Sequence, residues 1–301
     1  MKPWLHLARI SNLPTVWTNV TAAWLLAGGA FEDARLYWLI LAGSLLYTGG
    51  MILNDAADVK FDREHRKERP IPAGQVSLKA AWIVGISMLL LGAWLALAFG
   101  ATHPLFIAGL IACILFYDLY HKPWAGSVVV MGACRAFLIC MAGSARLADT
   151  ATEAGWLVSS FYRFGWDALG FMPGLVLLHA CAVGIYTVAL SVAARSGGKS
   201  GVRWLIWAPA VSFLAGKGMV LSLETAAPLA LFVVPAAFVL LVASALVRLK
   251  HSRIDAAVGL LLAGFVIADA LAVCTTNPAV ALIFVALAPL LRVWQRWIAA
   301  T

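Results

Sequence analysis

Long runs of apolar residues constrain the fold of this chain more than any other feature. A transmembrane helix needs about 20 mostly apolar residues, whereas membrane β-strands show short stretches of alternating polarity. The runs here are long and continuous, so the sequence predicts an all-α, polytopic membrane protein. Ten segments can be delimited, at roughly 13–30, 36–54, 79–99, 103–120, 124–146, 172–194, 204–222, 226–247, 255–273 and 278–294.

Composition supports a membrane protein with one domain. Of 301 residues, 63% are hydrophobic and 12% are charged, whereas soluble domains have about 25% charged residues. The chain has no evident internal repeat, which predicts a single transmembrane domain over 1–301. The five cysteines lie in or beside apolar runs without metal-type spacing, and we interpret them as packing residues. The first segment resembles a signal peptide, but Pro14 and Asn19 favour a retained helix.

The basic residues predict the orientation in the membrane. If the N-terminus is cytoplasmic, 17 of the 22 Lys and Arg residues lie in cytoplasmic stretches and three lie on the opposite side. This asymmetry follows the positive-inside rule, so the net charge of +8 calls for no nucleic-acid partner. We therefore predict cytoplasmic termini in a bacterial inner membrane. The aromatic stretch 147–171 on the opposite side predicts an interfacial helix, serving as an anchoring belt or as a lid.

Three acidic residues follow the second apolar segment at helical spacing. Asp55, Asp58 and Asp62 are spaced i, i+3, i+7, so one face of a continuing helix would carry all three, with Asn54 beside them. Crowded carboxylates need cations, and hard oxygen ligands select Mg²⁺ or Mn²⁺. Because Mg²⁺ completes its shell with phosphate oxygens, the pattern predicts a diphosphate ligand with Lys and Arg nearby. A solvated charged loop is the alternative, but the helical spacing and the Pro70-x-Pro-x-Gly turn oppose it.

At this point the chain resembles the UbiA family of intramembrane prenyltransferases. Asn54-Asp-x-x-Asp-x-x-x-Asp, followed by Arg69-Pro-Ile-Pro-x-Gly-x-Val-Ser, resembles the first aspartate-rich motif of that family. The resemblance covers about residues 9–273. Family members usually have nine helices, so residues 274–301 resemble an extra C-terminal helix. Further similar elements are Arg9-x-x-Asn12-x-Pro14-Thr15-x-Trp17-Thr-Asn19 in the first helix, Phe116-Tyr117-Asp118-x-x-His121-Lys122 at the end of the fourth, and Arg135 with Gly143 in the fifth.

The resemblance implies a fold, an activity and a set of site residues. The fold would be a bundle of nine to ten transmembrane helices around a central cavity that opens to lipid. The reaction would transfer an isoprenyl chain from its diphosphate to an unidentified, lipophilic acceptor. Mg²⁺ (or Mn²⁺) would be bound by Asn54, Asp55, Asp58 and Asp62. The catalytic residues would be Asp55, Asp58, Asp62, Tyr117 and Lys122, and the substrate-binding residues Asn19, Asn54, Arg69, Arg135, Arg195 and Lys199.

One element of the family pattern is missing. The family has a second aspartate-rich motif after the sixth helix, where this chain has Thr187 and Ala194 in the acidic positions and no Asp or Glu between 168 and 223. Arg195, Lys199 and Arg203 bring cations there instead. In this respect the chain resembles the UbiA-like proteins of Ebo gene clusters.

The missing motif leaves alternative functions open. Cations can bind a diphosphate in place of a metal, which keeps the enzyme hypothesis. A catalytically impaired relative that binds an isoprenyl diphosphate or another lipid phosphate is the alternative. A cation-coupled transporter is the third, although its acids would be expected near the midplane of the membrane.

Ionisable residues inside apolar segments are functional candidates by default. Lys217 and Asp269 are expected to pair, His179 to be a hydrogen-bonded packing residue, and Arg135 to point into the cavity. For Asp118, an acid near the site and a helix cap both remain open.

Overall fold

The computed structural model describes residues 2–120, 124, 126–147, 149, 173–196, 201–215 and 228–295. These residues form helices joined by short connections, with no β-strand among them, so the all-α prediction is confirmed. Two 3₁₀ turns, Ile10–Asn12 and Gly201–Trp207, accompany the α-helices. In chain order the α-helices are α1 Lys2–Leu7, α2 Leu13–Leu26, α3 Arg35–Ala57, α4 Val59–His65, α5 Leu78–Ala98, α6 Pro104–Tyr120, α7 Ser127–Ser144, α8 Gly174–Arg195, α9 Ala210–Leu214, α10 Pro228–Lys250, α11 Ile254–Val273 and α12 Pro278–Trp294.

The apolar segments of the sequence correspond to helices. Six of the helices in the described ranges are long and apolar enough to cross a membrane, namely α3, α5, α7, α8, α10 and α11. The seventh predicted segment begins as a 3₁₀ turn followed by the short α9, and residues 216–227 lie outside the described residues. The total of nine to ten transmembrane helices therefore stays a prediction. Most of the aromatic stretch 147–171 also lies outside the described residues.

The outer helices expose large apolar side chains, whereas one helix is central. Leu90 and Trp94 on α5 and Phe232 and Leu240 on α10 are each more than half exposed. A continuous apolar surface of this kind would aggregate in water and belongs in lipid. By contrast, 78% of the residues in an 18-residue window of α11 are buried, and this helix packs against α2, α8, α10 and α12. The chain is an integral membrane protein built around α11.

Small residues let two helix pairs approach closely. A Cβ atom added to Gly132 on α7 would lie 2.6 Å from the carbonyl oxygen of Gly184 on α8. A Cβ atom at Gly49 on α3 would lie 2.9 Å from the carbonyl oxygen of Gly85 on α5. Membrane helices associate through such small-residue contacts because lipid supplies no hydrophobic force between them. These contacts fix α7 and α8 at the distance that shapes the cavity between them.

An ion cluster closes one end of the bundle. Arg35 contacts Asp33 at 2.6 Å and Asp149 at 2.9 Å, and Arg146 contacts Asp149 at 2.6 Å. Both guanidinium groups lie over the ring of Trp24, at 5.4 and 5.6 Å. This cluster ties the connection between α2 and α3 to the end of α7. The opposite end of the bundle gathers Arg9, Asp55, Tyr117, Ser127 and Arg195, and we call it the motif end.

Candidate functional site

The acidic residues at the motif end lie on a continuous helical path. The backbone N–H of Asp58 donates to the carbonyl of Asn54 at 3.0 Å, and that of Asp62 donates to the carbonyl of Asp58 at 3.0 Å. Asp58 itself has right-handed helical dihedral angles, with φ −79° and ψ −3°. Helical geometry therefore continues from α3 through Asp58 into α4, which is the backbone path that the spacing of the three acids predicts.

Arg69 joins two of these carboxylates. Its Nη1 atom donates to Oδ1 of Asp55 at 3.0 Å and to Oδ2 of Asp62 at 2.9 Å. A second guanidinium, that of Arg9, reaches Oδ1 of Asp55 at 3.3 Å. Asp55 and Asp62 are buried, and buried carboxylates require such partners. Two arginines that are distant from each other in sequence thus neutralise the acidic face.

The turn after α4 positions Arg69. The N–H of Gln75 donates to the carbonyl of Pro70 at 2.9 Å, and Gly74 adopts a φ of +72°, which glycine accommodates without strain. Ile71 and Val76 are buried in a small core with residues of α1, α3, α4 and α5. The Pro-x-Pro-x-Gly turn is therefore anchored by its apolar side chains, and this anchoring holds Arg69 against the aspartates.

The oxygen atoms at this site fit a divalent cation. Oδ1 of Asp62 is buried and has no hydrogen-bond partner in the part of the chain that the structure describes. Arg69 Nη1 lies between Asp55 and Asp62, where positive charge is favoured. No three His, Cys, Asp or Glu side chains form a ready-made metal cluster within the described ranges. Asp55 and Asp62 would hold Mg²⁺ together with water and phosphate oxygens, which is the usual way this ion binds.

Asn54 and Asp118 connect the acidic face to α6. The Asn54 side-chain amide donates to Oδ1 of Asp118 at 3.1 Å, and both side chains are buried. Asp118 is thus an acid next to the site. Asp58 is half-buried and lies close enough to Asp55 for their charges to interact.

A charged mouth and an apolar cavity adjoin at the motif end. The mouth, of about 680 Å³, is lined by charged residues that include Arg9, Asp55, Arg66 and Arg69. The cavity, of about 310 Å³, extends between α3, α6, α7, α8 and α11. Arg9, Ala194 and Val258 line both spaces. The apolar lining of the cavity includes Leu46, Ile114, Leu138, Leu190, Leu262 and Phe265.

Helix α8 brings hydroxyl groups and a guanidinium to the cavity. Arg195 donates to Oγ of Ser127 at 3.1 Å and is hydrogen-bonded to the hydroxyl of Tyr117. Thr187 and Ser191 also line the cavity, and each donates to a carbonyl of its own helix, at 2.7 and 2.8 Å. The face of α8 that lines the cavity has no carboxylate, in keeping with the altered second motif. Lys122 and Lys199 lie outside the described residues.

A polar network lies deeper in the bundle. Arg135 donates from Nη1 to Oδ1 of Asn19 at 2.8 Å and from Nη2 to Oγ1 of Thr15 at 3.0 Å. The Asn19 amide donates to both oxygens of Asp269, and His179 Nε2 lies 2.9 Å from Asp269 Oδ1. Asn19, His179 and Asp269 are fully buried. Among the described residues, Asp269 therefore pairs with Asn19 and His179, and Lys217 lies outside them.

Sequence reasoning named some of these residues but did not connect them. From the sequence, Arg9 was identified only as part of a first helix similar to that of the UbiA family. In the structure it pairs with Asp55 and has a left-handed φ of +43°. Non-glycine residues with positive φ are uncommon and cluster at functional sites. The contact of Asn19 with Asp269 carries no local signal, because 250 residues separate the two. Their occurrence inside apolar segments was the only indication that each needed a partner.

Comparison with known proteins gives consistent matches. The model of the UbiA prenyltransferase family matches residues 14–259. A 4-hydroxybenzoate octaprenyltransferase from Dechloromonas aromatica is 32% identical over 164 residues, which cover 52% of this chain and 55% of the relative. A protoheme IX farnesyltransferase from Trichormus variabilis is 24% identical over 145 residues, covering 47% of this chain and 46% of the relative. The chain thus spans about half the length of the curated relatives it matches.

Two solved structures share the fold. A UbiA homolog from Aeropyrum pernix K1 aligns with a TM-score of 0.63 and 20% identity, covering 87% of this chain and 96% of that structure. A digeranylgeranylglyceryl phosphate synthase aligns with a TM-score of 0.51 and 15% identity, covering 97% and 94% of the two chains. These likenesses support a helical bundle of the same architecture.

Proposed function

The chain belongs to the UbiA prenyltransferase family, and from this premise we propose that it transfers an isoprenyl chain from a prenyl diphosphate to a lipophilic acceptor in the membrane. The observation that carries the proposal is the junction of a charged mouth with an apolar cavity, both lined by Arg9. A prenyl diphosphate likewise has a charged part and an apolar part, because its multiply charged diphosphate head is attached to an apolar chain. The head would lie in the mouth, and the first isoprene units would enter the cavity.

In this proposal the acidic face and its cations bind the diphosphate. Asp55, Asp58 and Asp62, with Asn54 beside them, would hold Mg²⁺ or Mn²⁺, and the bound ion would stabilise the charge that develops on the leaving diphosphate. Arg69 contacts Asp55 and Asp62, so its guanidinium would donate a hydrogen bond to a phosphate oxygen bound beside these carboxylates. Arg195 would contact the diphosphate from α8, as would Lys122 and Lys199 in the sequence-based proposal.

The cavity would protect the reacting carbon from water. As the C1–O bond of the donor breaks, its electron pair leaves with the diphosphate and positive charge develops on the allylic carbon. Tyr117 lines the cavity next to Arg195, so its ring would face that charge. The acceptor then forms the new bond to C1 and loses a proton. Apolar walls favour this outcome because they keep water from capturing the cation.

The placement in the membrane extends the same proposal. The basic residues of the motif end would lie in the cytoplasm together with both termini, in a bacterial inner membrane. Residues 9–273 would form the UbiA-like core of a single domain, with 274–301 as an additional C-terminal segment. Within that segment α12 packs against α10 and α11.

A second candidate is a relative that binds an isoprenyl diphosphate or another lipid phosphate without turnover. The observation that favours it is the cavity-facing side of α8, where Thr187, Ser191 and Arg195 are present and carboxylates are absent among the described residues. The acidic face of α3 and α4 opposes it, because that face retains the residues expected to activate a diphosphate.

One experiment separates the two candidates. Purified protein in nanodiscs with Mg²⁺ is incubated with geranyl, farnesyl or geranylgeranyl diphosphate, and binding and diphosphate release are both measured. Asp55→Ala and Asp58→Ala test the acidic face, and Glu64→Gln, which alters an exposed carboxylate on the following helix α4, is the matched control. Release by the wild type and by Glu64→Gln, but not by the two alanine variants, supports the enzyme. Binding without release supports the non-catalytic relative, and no binding overturns both.

A further inference from the structure

One wall of the charged mouth is built by the ends of α8 and α11. Ala194 lies at the end of α8, and Ile254, Asp255 and Val258 lie in the first turns of α11. Among the described residues that line the mouth, every other ionisable side chain belongs to the part of the chain before Gln75. Asp255 therefore places a carboxylate on a wall that is otherwise uncharged.

Asp255 lies beside the position at which α8 lacks a carboxylate. Ala193 of α8 and Ala257 of α11 are buried in one small cluster, so the end of α8 packs against the first turns of α11. Ala194 directly follows Ala193 and stands in one of the acidic positions of the missing second motif. Ala194 and Asp255 line the same space next to this junction. A carboxylate from α11 is thus available close to the place where the motif would supply one from α8.

The helical register of α11 directs Asp255 toward the head of the donor. Asp255 and Val258 are three residues apart, so they lie on one face of the helix. Val258 lines both the mouth and the cavity, which places this face at the boundary between the two spaces. Asp255 lies one turn nearer the N-terminus of α11, on the side of the mouth. Its side chain is exposed, and it forms no hydrogen bond or ion pair with another described residue.

A carboxylate in this position requires a cation when a diphosphate is bound, because like charges repel strongly at short range. Arg195, the cation of α8 that is closest in sequence to Ala194, bonds Ser127 and Tyr117, so its guanidinium is directed toward α7 and α6. It lines the cavity and not the mouth. Mg²⁺ typically binds through one or two protein carboxylates and completes its shell with phosphate oxygens of the substrate. A single carboxylate at Asp255 therefore suffices to hold an ion against the diphosphate.

We propose that Asp255 is a metal-binding carboxylate that replaces the missing acids of α8. The donor diphosphate would then be bound by two divalent ions, one at the acidic face of α3 and α4 and one at Asp255. This inference rests on the proposed prenyl-transfer function and adds a residue to its site. An ion at Asp255 would stabilise the leaving diphosphate from the wall formed by α8 and α11. The competing role for an acid in the first turn of a helix is to stabilise the helix dipole alone.

The test counts the Mn²⁺ ions in the complex with a donor analogue. Protein in nanodiscs is saturated with geranyl thiolodiphosphate, in which sulfur replaces the bridging oxygen at C1 and slows ionisation, and bound Mn²⁺ is counted by electron paramagnetic resonance. We expect two ions per bound analogue in the wild type and one in Asp255→Asn. Glu64→Gln, which alters an exposed carboxylate of α4 that does not line the mouth, is the matched control and should retain two.

A second variant tests whether Asp255 replaces a carboxylate of α8. In the double variant Asp255→Asn/Ala194→Asp, we expect the count to return to two ions, because a carboxylate is restored on the neighbouring helix. A double variant that binds the analogue with one ion would overturn the replacement. Thermal unfolding of the same samples measures the contribution of Asp255 to the stability of α11 independently of the ion count.

The remaining outcomes separate this inference from the proposed function. One ion in the wild type, or two ions in Asp255→Asn, would overturn the role of Asp255 and leave the prenyl-transfer function standing. A lower unfolding temperature of Asp255→Asn with two ions still bound would assign Asp255 to the helix dipole alone. Failure of the wild type to bind either the analogue or any prenyl diphosphate would overturn the proposed function, and this inference with it.

Discussion

The side-chain amide of Asn19 on α2 donates to both carboxylate oxygens of Asp269 on α11, at 2.8 and 2.9 Å. Its carbonyl oxygen accepts from Arg135 at 2.8 Å, so one neutral side chain connects a half-buried cation with a buried anion. Ionisable groups inside a membrane are costly unless paired. This network joins α2, α7, α8 and α11 and explains how four polar side chains are accommodated in the interior of an apolar bundle.

Replacement of Asn19 by leucine should destabilise the bundle strongly. The substitution removes the shared hydrogen-bond partner of Arg135 and Asp269, which keep Thr15 and His179 among the described residues. A hydrogen bond to a charged group contributes about 1.5–3 kcal/mol. Thermal unfolding in detergent measures the effect. Thr18→Val is the matched control, because among the described residues buried Thr18 on the same helix bonds only to the carbonyl of Thr15 in its own helix. Equal loss of stability in the two variants would contradict the bridging role.

Removal of Arg69 should increase the affinity of the acidic face for Mg²⁺. Arg69 Nη1 lies between Asp55 and Asp62, so it competes with a metal ion for both carboxylates. In Arg69→Gln we expect Mg²⁺ alone, without diphosphate, to bind at least about fivefold more tightly, because a repelling charge is lost. Equilibrium dialysis measures this directly. Arg66→Gln, which alters another arginine of the same mouth, is the control. Unchanged or weaker Mg²⁺ binding in Arg69→Gln would show that the ion binds elsewhere.

A methyl group at Gly132 should push α7 and α8 apart. Its Cβ atom would lie 2.6 Å from a backbone carbonyl oxygen, and backbone cannot move aside as a flexible side chain can. We expect Gly132→Ala to cost about 1–3 kcal/mol, as overpacking does. Gly174→Ala is the control on the same helix pair, because no atom lies within 4 Å of its added Cβ. Thermal unfolding that shows no difference between the variants would argue against the close contact.

Acid should loosen the ion cluster at the end opposite the motif. Hydrogen bonding to Arg35 lowers the pKa of Asp33 below its ordinary value of 3.8. A carboxyl with a depressed folded-state pKa contributes stability that is complete above its unfolded-state value and is lost as the pH falls through the folded-state value. The wild type should therefore lose stability below about pH 4 more steeply than Asp33→Asn. Parallel pH profiles of the two would instead indicate that the cluster does not stabilise the fold.

Much of the local structure could be predicted from the sequence. Apolar segments of membrane length predict helices because the backbone in lipid must satisfy its own hydrogen bonds. The i, i+3, i+7 spacing of Asp55, Asp58 and Asp62 predicts one helical face, and the backbone remains helical through Asp58. The Pro-x-Pro-x-Gly turn is also visible in the sequence. Each of these features depends on residues within a few positions of each other, which is the range over which sequence patterns are informative.

The partners of these residues were decided by the tertiary structure. Arg9 meets Asp55, Asn54 meets Asp118, and Asn19 meets Asp269, although 46, 64 and 250 residues separate the members of each pair. The sequence by itself determined that this chain forms membrane helices, carries an acidic face at a helix end, and lacks carboxylates in α8. Which cation faces which carboxylate, and which arginine lines the cavity, depends on how the helices pack. That packing is set by side-chain shape and by close glycine contacts between segments that are distant in sequence. Such contacts produce no periodic pattern in the sequence.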